Sequence, residues 1–395
     1  MLPDGQKIHV GVDGTPWDNE RGFGRFTRHL IGALARRESE FRCTLLFDRW
    51  PERPVPDGVE VKIAGHDESI SDRLSSQDAR GKSDLLSMSL ANRKLDCDLF
   101  FFPAVYSYYP VLARRRLVAC FHDTIPERFP DLIFPTKRDY YFWNAKCWLA
   151  KKQATRVMTI SQASADDLSD ILRIPTSRID TITEGAGDAF KPVSDQQRWE
   201  SIRSKYGIPK DAPLLVYVGG FNRHKNVIQL LRAMPEVLKR RPDVKLAIVG
   251  RTTGARFWDN VDDLQRETTA SDDLRESVTF TGEIDDEDLN LLLNTSDALV
   301  FPSLWEGFGL PAVEAMSCGT PVLASNRGSL PEVVGDGGLY YDPESVDELI
   351  AAADRLLSSD ELRSELSHRA LKQASEFSWD KGAELAEDSF RKALA

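Results

Sequence analysis

Short apolar, β-rich runs alternate with helical patterns along almost the whole chain, and that alternation most narrows the folds open to it. It is the signature of parallel sheets built from βαβ units, because parallel neighbours need a crossover that a helix supplies. In the first half, strands are expected at Lys7–Asp13, Cys43–Asp48, Val59–Ile63, Leu99–Pro103, Leu117–Phe121, Val157–Ser161 and Ile179–Thr183. In the second half they are expected at Leu214–Gly219, Lys245–Val249, Val278–Thr281, Ala298–Phe301, Pro321–Ala324 and Gly338–Tyr341. Helices fall between them, among them Phe26–Arg37, whose Phe26, Leu30, Ile31 and Leu34 share one face. The second half adds Val227–Arg240, Asp259–Thr269, Asp286–Thr295, Pro311–Met316 and Val346–Ser358.

A chain of 395 residues exceeds what one core usually organises, so two domains are expected. The stretch from Gly185 to Pro192 is rich in Gly and ends in Pro, which makes it the expected hinge. The fold class is therefore α/β, two Rossmann-like doubly wound domains facing across a cleft, with domains over 1–187 and 188–377. Open sheets of this kind bind ligands at the carboxyl ends of their strands. The polar stretch His66–Leu95 is expected as a mobile loop and helix beside that cleft.

The most informative segment runs from Phe301 to Pro321. An apolar strand ends at Phe301, a loop carries Glu306, Gly307 and Gly309, and Pro311 suits the first turn of a helix that also takes in Glu314. Strand, Gly-rich loop and helix N-terminus together aim free backbone N–H groups at an anion such as a diphosphate. The two carboxylates are suited to accepting hydrogen bonds from sugar or ribose hydroxyls. A plain tight turn, with Glu314 complementing the helix dipole, is the competing reading of the loop alone. A second segment, Tyr217 to Asn226, carries Gly219, Gly220, Arg223, His224 and Lys225 between a strand and a helix. There a Lys meets phosphate oxygens as a point charge. Gly22 and Gly24 precede the first helix in a loop whose backbone is free to approach a ligand. His122 stands at the end of the Leu117–Phe121 strand.

Glu306 to Glu314 resembles the E-x7-E motif of retaining GT-B glycosyltransferases, specifically glycosyltransferase family 4. Gly319 to Ser325 and Leu330 to Gly338 resemble the same family's C-terminal domain, and the likeness is densest over 214–345. The resemblance implies a donor site for a nucleotide-diphosphate sugar built from Gly22, Gly24, Gly219, Gly220, Arg223, Lys225, Glu306, Gly307, Phe308, Gly309, Leu310 and Glu314. His122, Glu306 and Lys225 are the implied catalytic residues, with Glu314 on the ribose, Glu306 on the hexose and His122 on a sugar hydroxyl. Many members carry Arg directly after the first Gly of the diphosphate loop, where this chain has Gly220, so Arg223 becomes the candidate second cation. Trp17 and Phe23 are the candidates for shaping an acceptor pocket. The resemblance also implies a last helix, 378–395, that crosses back onto the N-terminal domain, with Trp379 packing between domains.

The implied reaction is retaining transfer of a mannose- or glucose-type hexose, from a GDP- or UDP-linked donor to a glycan, lipid-linked or small-molecule acceptor. Lysine and the helix N-terminus would neutralise the leaving diphosphate, so no cofactor and no metal are expected. The one candidate metal pair, Asp96 and Asp98, lacks supporting ligands. A nucleotide-sugar epimerase and a catalytically inactive nucleotide-sugar-binding homologue are the alternatives. A net charge of −11 argues against nucleic acid as the main partner. Five cysteines without metal spacing read as buried free thiols of a reducing compartment. Without a basic-then-apolar start, and with Pro3, Asp4 and Gly5 near Met1, the expected location is cytoplasmic, with peripheral contact at the inner membrane face. The aromatic-basic stretch Tyr140–Trp148 is expected as an ordinary core helix, with contact to a lipid-linked acceptor at a membrane surface as the alternative.

Overall fold

The structure is a computed structural model that describes residues 7–64, 82–251 and 260–395. The chain divides into two compact units. The first comprises Met1–Thr124, Thr136–Glu184 and Trp379–Ala395, and the second Ile125–Pro135 and Gly185–Ser378.

The first unit holds β1 (Ile8–Asp13), β2 (Phe41–Phe47), β3 (Glu60–Ile63), β4 (Leu99–Phe102), β5 (Arg116–Cys120), β6 (Arg156–Thr159) and β7 (Ile179–Thr181). They form one sheet in the order β3-β2-β1-β4-β5-β6-β7. The second unit holds β8 (Leu214–Val218), β9 (Lys245–Val249), β10 (Val278–Gly282), β11 (Ala298–Phe301), β12 (Val322–Ser325) and β13 (Gly338–Tyr341), ordered β10-β9-β8-β11-β12-β13. Every pairing in both sheets is parallel, with Val10 opposite Cys43 and Leu299 opposite Val322 as examples. Each sheet winds outward from one strand, then returns to that strand's other side. The reversal falls between β1 and β4 in the first unit and between β8 and β11 in the second. Those two places are where a doubly wound sheet opens a crevice at its carboxyl end.

The helix Val227–Arg240 shows why the segments pack as they do. Val227, Leu230, Leu231, Met234, Val237 and Leu238 recur at helical spacing and are buried against Leu246 and Ile248 of β9. Burying side chains of this size contributes about 1.5–3 kcal/mol each. The closing helix Trp379–Leu394 packs within the first unit. Phe390 meets Phe41 and Phe101 edge-on at 5.6 and 5.4 Å, and Asp180 accepts from Ser389 Oγ at 2.7 Å and Lys392 Nζ at 2.9 Å. Gly382 is required there, since a Cβ would lie 2.4 Å from the Thr183 carbonyl oxygen.

Two expectations need correction. The segment Ile125–Pro135 belongs to the second unit although its sequence lies in the first half, and the Arg128 guanidinium lies 3.7 Å above the Trp305 ring. Trp379, expected to pack between domains, stacks on His29 at 5.1 Å within the first unit. Of the expected loop and helix over His66–Leu95, positions through 81 lie outside the described residues, and the helix is Lys82–Lys94.

Candidate functional site

In the second unit the loop after β8 and the loop after β11 sit side by side because those strands pair. Backbone packing sets how closely the strand ends approach. A Cβ on Gly250 would stand 2.2 Å from the Gly219 carbonyl oxygen, so only glycine fits where β8 and β9 end. Past Gly220 the chain makes a short 3-10 turn, Arg223–Lys225, and Asn226 then takes a left-handed conformation at φ 57°. Asn is among the residues that tolerate this conformation. Its side-chain amide donates to the carbonyls of Pro302 at 3.1 Å and Pro343 at 2.8 Å, and Leu304 N donates to His224 O at 2.8 Å. These bonds stitch the loops after β8, β11 and β13 together.

The stitching places Lys225 against Glu306. Lys225 Nζ donates to both carboxylate oxygens of Glu306 at 2.8 Å. Glu306 is buried, and its backbone is cradled by Gly328 and Ser329. A Cβ on Gly328 would reach 2.8 Å from Glu306 O, and Ser329 Oγ donates to Glu306 O at 3.2 Å and Phe308 O at 2.6 Å. Gly309 has φ 106°, a conformation that suits glycine, and caps the helix Leu310–Ser317. Pro311 occupies its first turn. Glu314 does not: the helix starts at Leu310, one residue earlier than expected, so Glu314 is its fifth residue and is completely buried. Its carboxylate therefore stands one turn inside the helix, not at its tip.

His224 is buried beneath this pair. Burial, helped by the neighbouring Lys225 charge and partly opposed by Glu306, pushes its imidazole down to about 4, so it is neutral at neutral pH. Its Nδ1 has no partner among the described residues. Arg223, the candidate second cation, is exposed. It lines an open polar depression with Arg232, Asn260, Asp263, Arg266 and Glu267. Phe308 turns its ring inward, edge-on to Phe377 at 5.6 Å, so only its backbone is left for a ligand.

In the first unit the reversal between β1 and β4 gathers a second group. Buried Asp13, the last residue of β1, accepts from Thr15 Oγ1 at 2.8 Å and from Ser107 Oγ of the turn after β4. Phe23 stacks on Tyr106 at 5.3 Å, and Tyr106 OH donates to Asp123 at 3.5 Å. Gly22 and Gly24 lie inside the first turn of the helix Gly22–Arg36, not in a loop before it. A Cβ on Gly24 would stand 2.0 Å from the Asn19 carbonyl oxygen, so its close backbone neighbour is its own preceding loop, whereas Gly22 faces open space. Trp17 is 2% exposed and edge-on to Phe47 at 6.5 Å, so its ring packs in the core of the first unit.

His122 lies two residues past β5. Its ring is buried against Phe26 at 4.6 Å, and Nε2 donates to Pro103 O at 2.8 Å. Burial pushes this imidazole down to about 4, partly opposed by that hydrogen bond. A neutral ring with the proton on Nε2 leaves Nδ1 as an acceptor. Asp98 accepts from His9 N at 2.8 Å, and Cys97 lies against Arg115, so this stretch serves the first sheet. Among the described residues no group of three or more His, Cys, Asp or Glu is placed to hold a metal ion, and the five cysteines are free thiols.

Sequence reasoning missed Asp13, Tyr106, Asp123 and Asn226 as site residues. Asn226 was readable as an Asn opening a helix, but the others come together only through strand order, which no local pattern encodes.

Comparison with known proteins gives matching results for the two halves. Residues 21–186 match the family described as Glycosyltransferase Family 4, and residues 199–373 match Glycosyl transferases group 1. The O-antigen chain mannosyltransferase B of Escherichia coli is 32% identical over 67% of this chain and 68% of its own length. The serotype-specific mannosyltransferase WbdA of Escherichia coli is 27% identical over 98% of this chain. The chain spans about half of WbdA, 48% of its length. Among solved structures, Alr3699/HepE of Anabaena in complex with UDP-glucose superposes with a TM-score of 0.74 at 19% identity, covering 97% of this chain and 99% of that one. That likeness carries the two-domain GT-B architecture.

Proposed function

Because the chain belongs to glycosyltransferase family 4, we propose that it transfers a hexose, mannose foremost, from a nucleoside-diphosphate sugar to an acceptor hydroxyl. The anomeric configuration is retained and no metal takes part. The observation that carries this reading is the Lys225–Glu306 pair at the reversal between β8 and β11, beside the helix N-terminus after Gly309.

The chemistry follows from what each group offers. An ammonium has three donors, and Glu306 engages Lys225 through two acceptor oxygens, so one N–H remains for a phosphate oxygen of the donor. As the bond from the anomeric carbon to the diphosphate breaks, negative charge grows on the leaving oxygen. Lys225 and the backbone N–H groups at the helix N-terminus stabilise it. The acceptor hydroxyl attacks the same face and passes its proton to a phosphate oxygen. Glu306 holds the hexose and Glu314 the ribose. His122 accepts a sugar hydroxyl at Nδ1, a role for which a neutral ring is required. The exposed Arg223 is left without an assigned phosphate contact. Mannose leads because the relative matched over two thirds of both chains is named a mannosyltransferase. The acceptor class, a glycan, lipid-linked or small-molecule hydroxyl, rests on family-level analogy.

Donor binding is the first test. In EDTA, one of GDP, UDP or ADP at about 100 times its dissociation constant should stabilise the protein by about 2.7 kcal/mol. Glu314→Ala should abolish most of that shift. A shift that appears only with a divalent metal, or no shift with any nucleotide, contradicts the metal-free donor site.

A further inference from the structure

The helix Lys137–Gln153 packs with Trp143, Cys147 and Ala150 inward. Its opposite side is not an ordinary polar surface. Tyr141, Phe142 and Trp148 are 66%, 62% and 57% exposed. At 100° per residue they fall with Arg138 and Lys152 in one stripe about 120° wide. The stripe continues beyond the helix. Gln153 holds the loop before β5 in place, donating to Val111 O and accepting from Val111 N, both at 2.9 Å. That loop presents Leu112, 51% exposed, and Arg114 at the same end.

The charge here runs against the rest of the molecule. The chain carries −11 overall, yet this helix has five cations and one carboxylate, Asp139, which is bonded to Thr136 at the helix start. Lys137, Arg138, Lys152 and Arg114 form no ion pair among the described residues, whereas many cations elsewhere on the surface are paired. Exposed aromatic rings flanked by unpaired cations complement a fluid anionic surface in both charge and polarity. Tyr and Trp rings settle at the headgroup level of a bilayer, and Lys and Arg are drawn to anionic headgroups.

We propose that this stripe docks the N-terminal unit onto the surface of an anionic lipid bilayer, lying in the interface and not crossing it. Among the described residues no helix is long and apolar enough to cross. The inference stands apart from the transferase reading, since neither Lys225 nor Glu306 enters it. Flotation of the full chain with vesicles tests it, using phosphatidylcholine alone and phosphatidylcholine containing phosphatidylglycerol. The expected result is binding to the anionic vesicles only, weakened by added salt. The pairs Phe142→Ser with Trp148→Ser, and Arg138→Glu with Lys152→Glu, should each lower the bound fraction at least about fivefold. Their melting temperatures should not change, because the substituted side chains are exposed. Absence of binding, equal binding to uncharged vesicles, or binding that neither pair weakens would overturn the proposal. So would a concentration-dependent dimer lost in Phe142→Ser with Trp148→Ser, which would give the stripe to a second copy of the chain.

Discussion

Lys225→Ala is expected to lower kcat/KM by about 10³-fold, with most of the loss in kcat. The charge on the leaving diphosphate is largest in the transition state, so the missing cation is felt there more than in the donor complex. The substitution also strands the Glu306 carboxylate, whose side chain is only 8% exposed. Leaving a buried acid without its partner should cost about 2–3 kcal/mol of stability. Two further variants separate these effects. Glu306→Gln keeps an acceptor for Lys225 and should leave stability within about 1 kcal/mol of wild type while activity falls about 10²-fold. Lys225→Arg restores the charge to Glu306 and should recover stability but only part of the activity, because a planar fork replaces a compact point charge. Full activity in Lys225→Ala would remove Lys225 from the mechanism.

Acidification should destabilise the protein well above the range where carboxylates titrate. His122 and His224 are held at about 4 against an ordinary 6.5. Between those values the unfolded chain binds protons that the folded chain does not, so stability falls as the pH drops from about 6.5 towards 4. The loss approaches about 3 kcal/mol for each histidine at the lower end, a large share of a typical domain's stability. Buried Asp180 behaves differently. Burial alone would raise it, but hydrogen bonds from Arg156, Lys392 and Ser389 bring it below its ordinary 3.8, so its contribution is lost only at lower pH. Urea unfolding across about pH 7 to 4 should show this early acid limb, and His224→Gln should make it shallower. A flat profile down to pH 4 would mean that neither ring is held neutral by the fold.

Much of the architecture was legible because parallel sheets leave strong local signals. Runs such as Lys245–Val249, Ala298–Phe301 and Gly338–Tyr341 appear as strands over the expected residues. The strand–glycine–helix segments around Lys225 and Gly309 were also readable, since each is contiguous in sequence. What was hidden depends on contacts between distant segments. Lys225 and Glu306 read as two separate groups, and only the adjacency of β8 and β11 makes them one ion pair. The Phe23–Tyr106 stack needs the order β1-β4. Glycine was ambiguous for a different reason. Gly24 reads the same whether its bare Cα faces a ligand or its own loop, and the Asn19 carbonyl decides for the loop. The aromatic helix Lys137–Gln153 was misleading in the opposite direction, since spacing that suits a core helix leaves Trp148 and Phe142 on the surface.

The central claim is that this chain moves a hexose from a nucleoside diphosphate with retention and without a metal. Proton NMR of a reaction with GDP-mannose and a mannoside acceptor in EDTA tests it most directly. The account predicts release of the nucleoside diphosphate together with a new α-mannosidic anomeric signal that matches the donor's configuration, absent in Lys225→Ala. A β-linked product, an epimerised sugar formed without acceptor, or turnover that starts only when a divalent metal is added would contradict it.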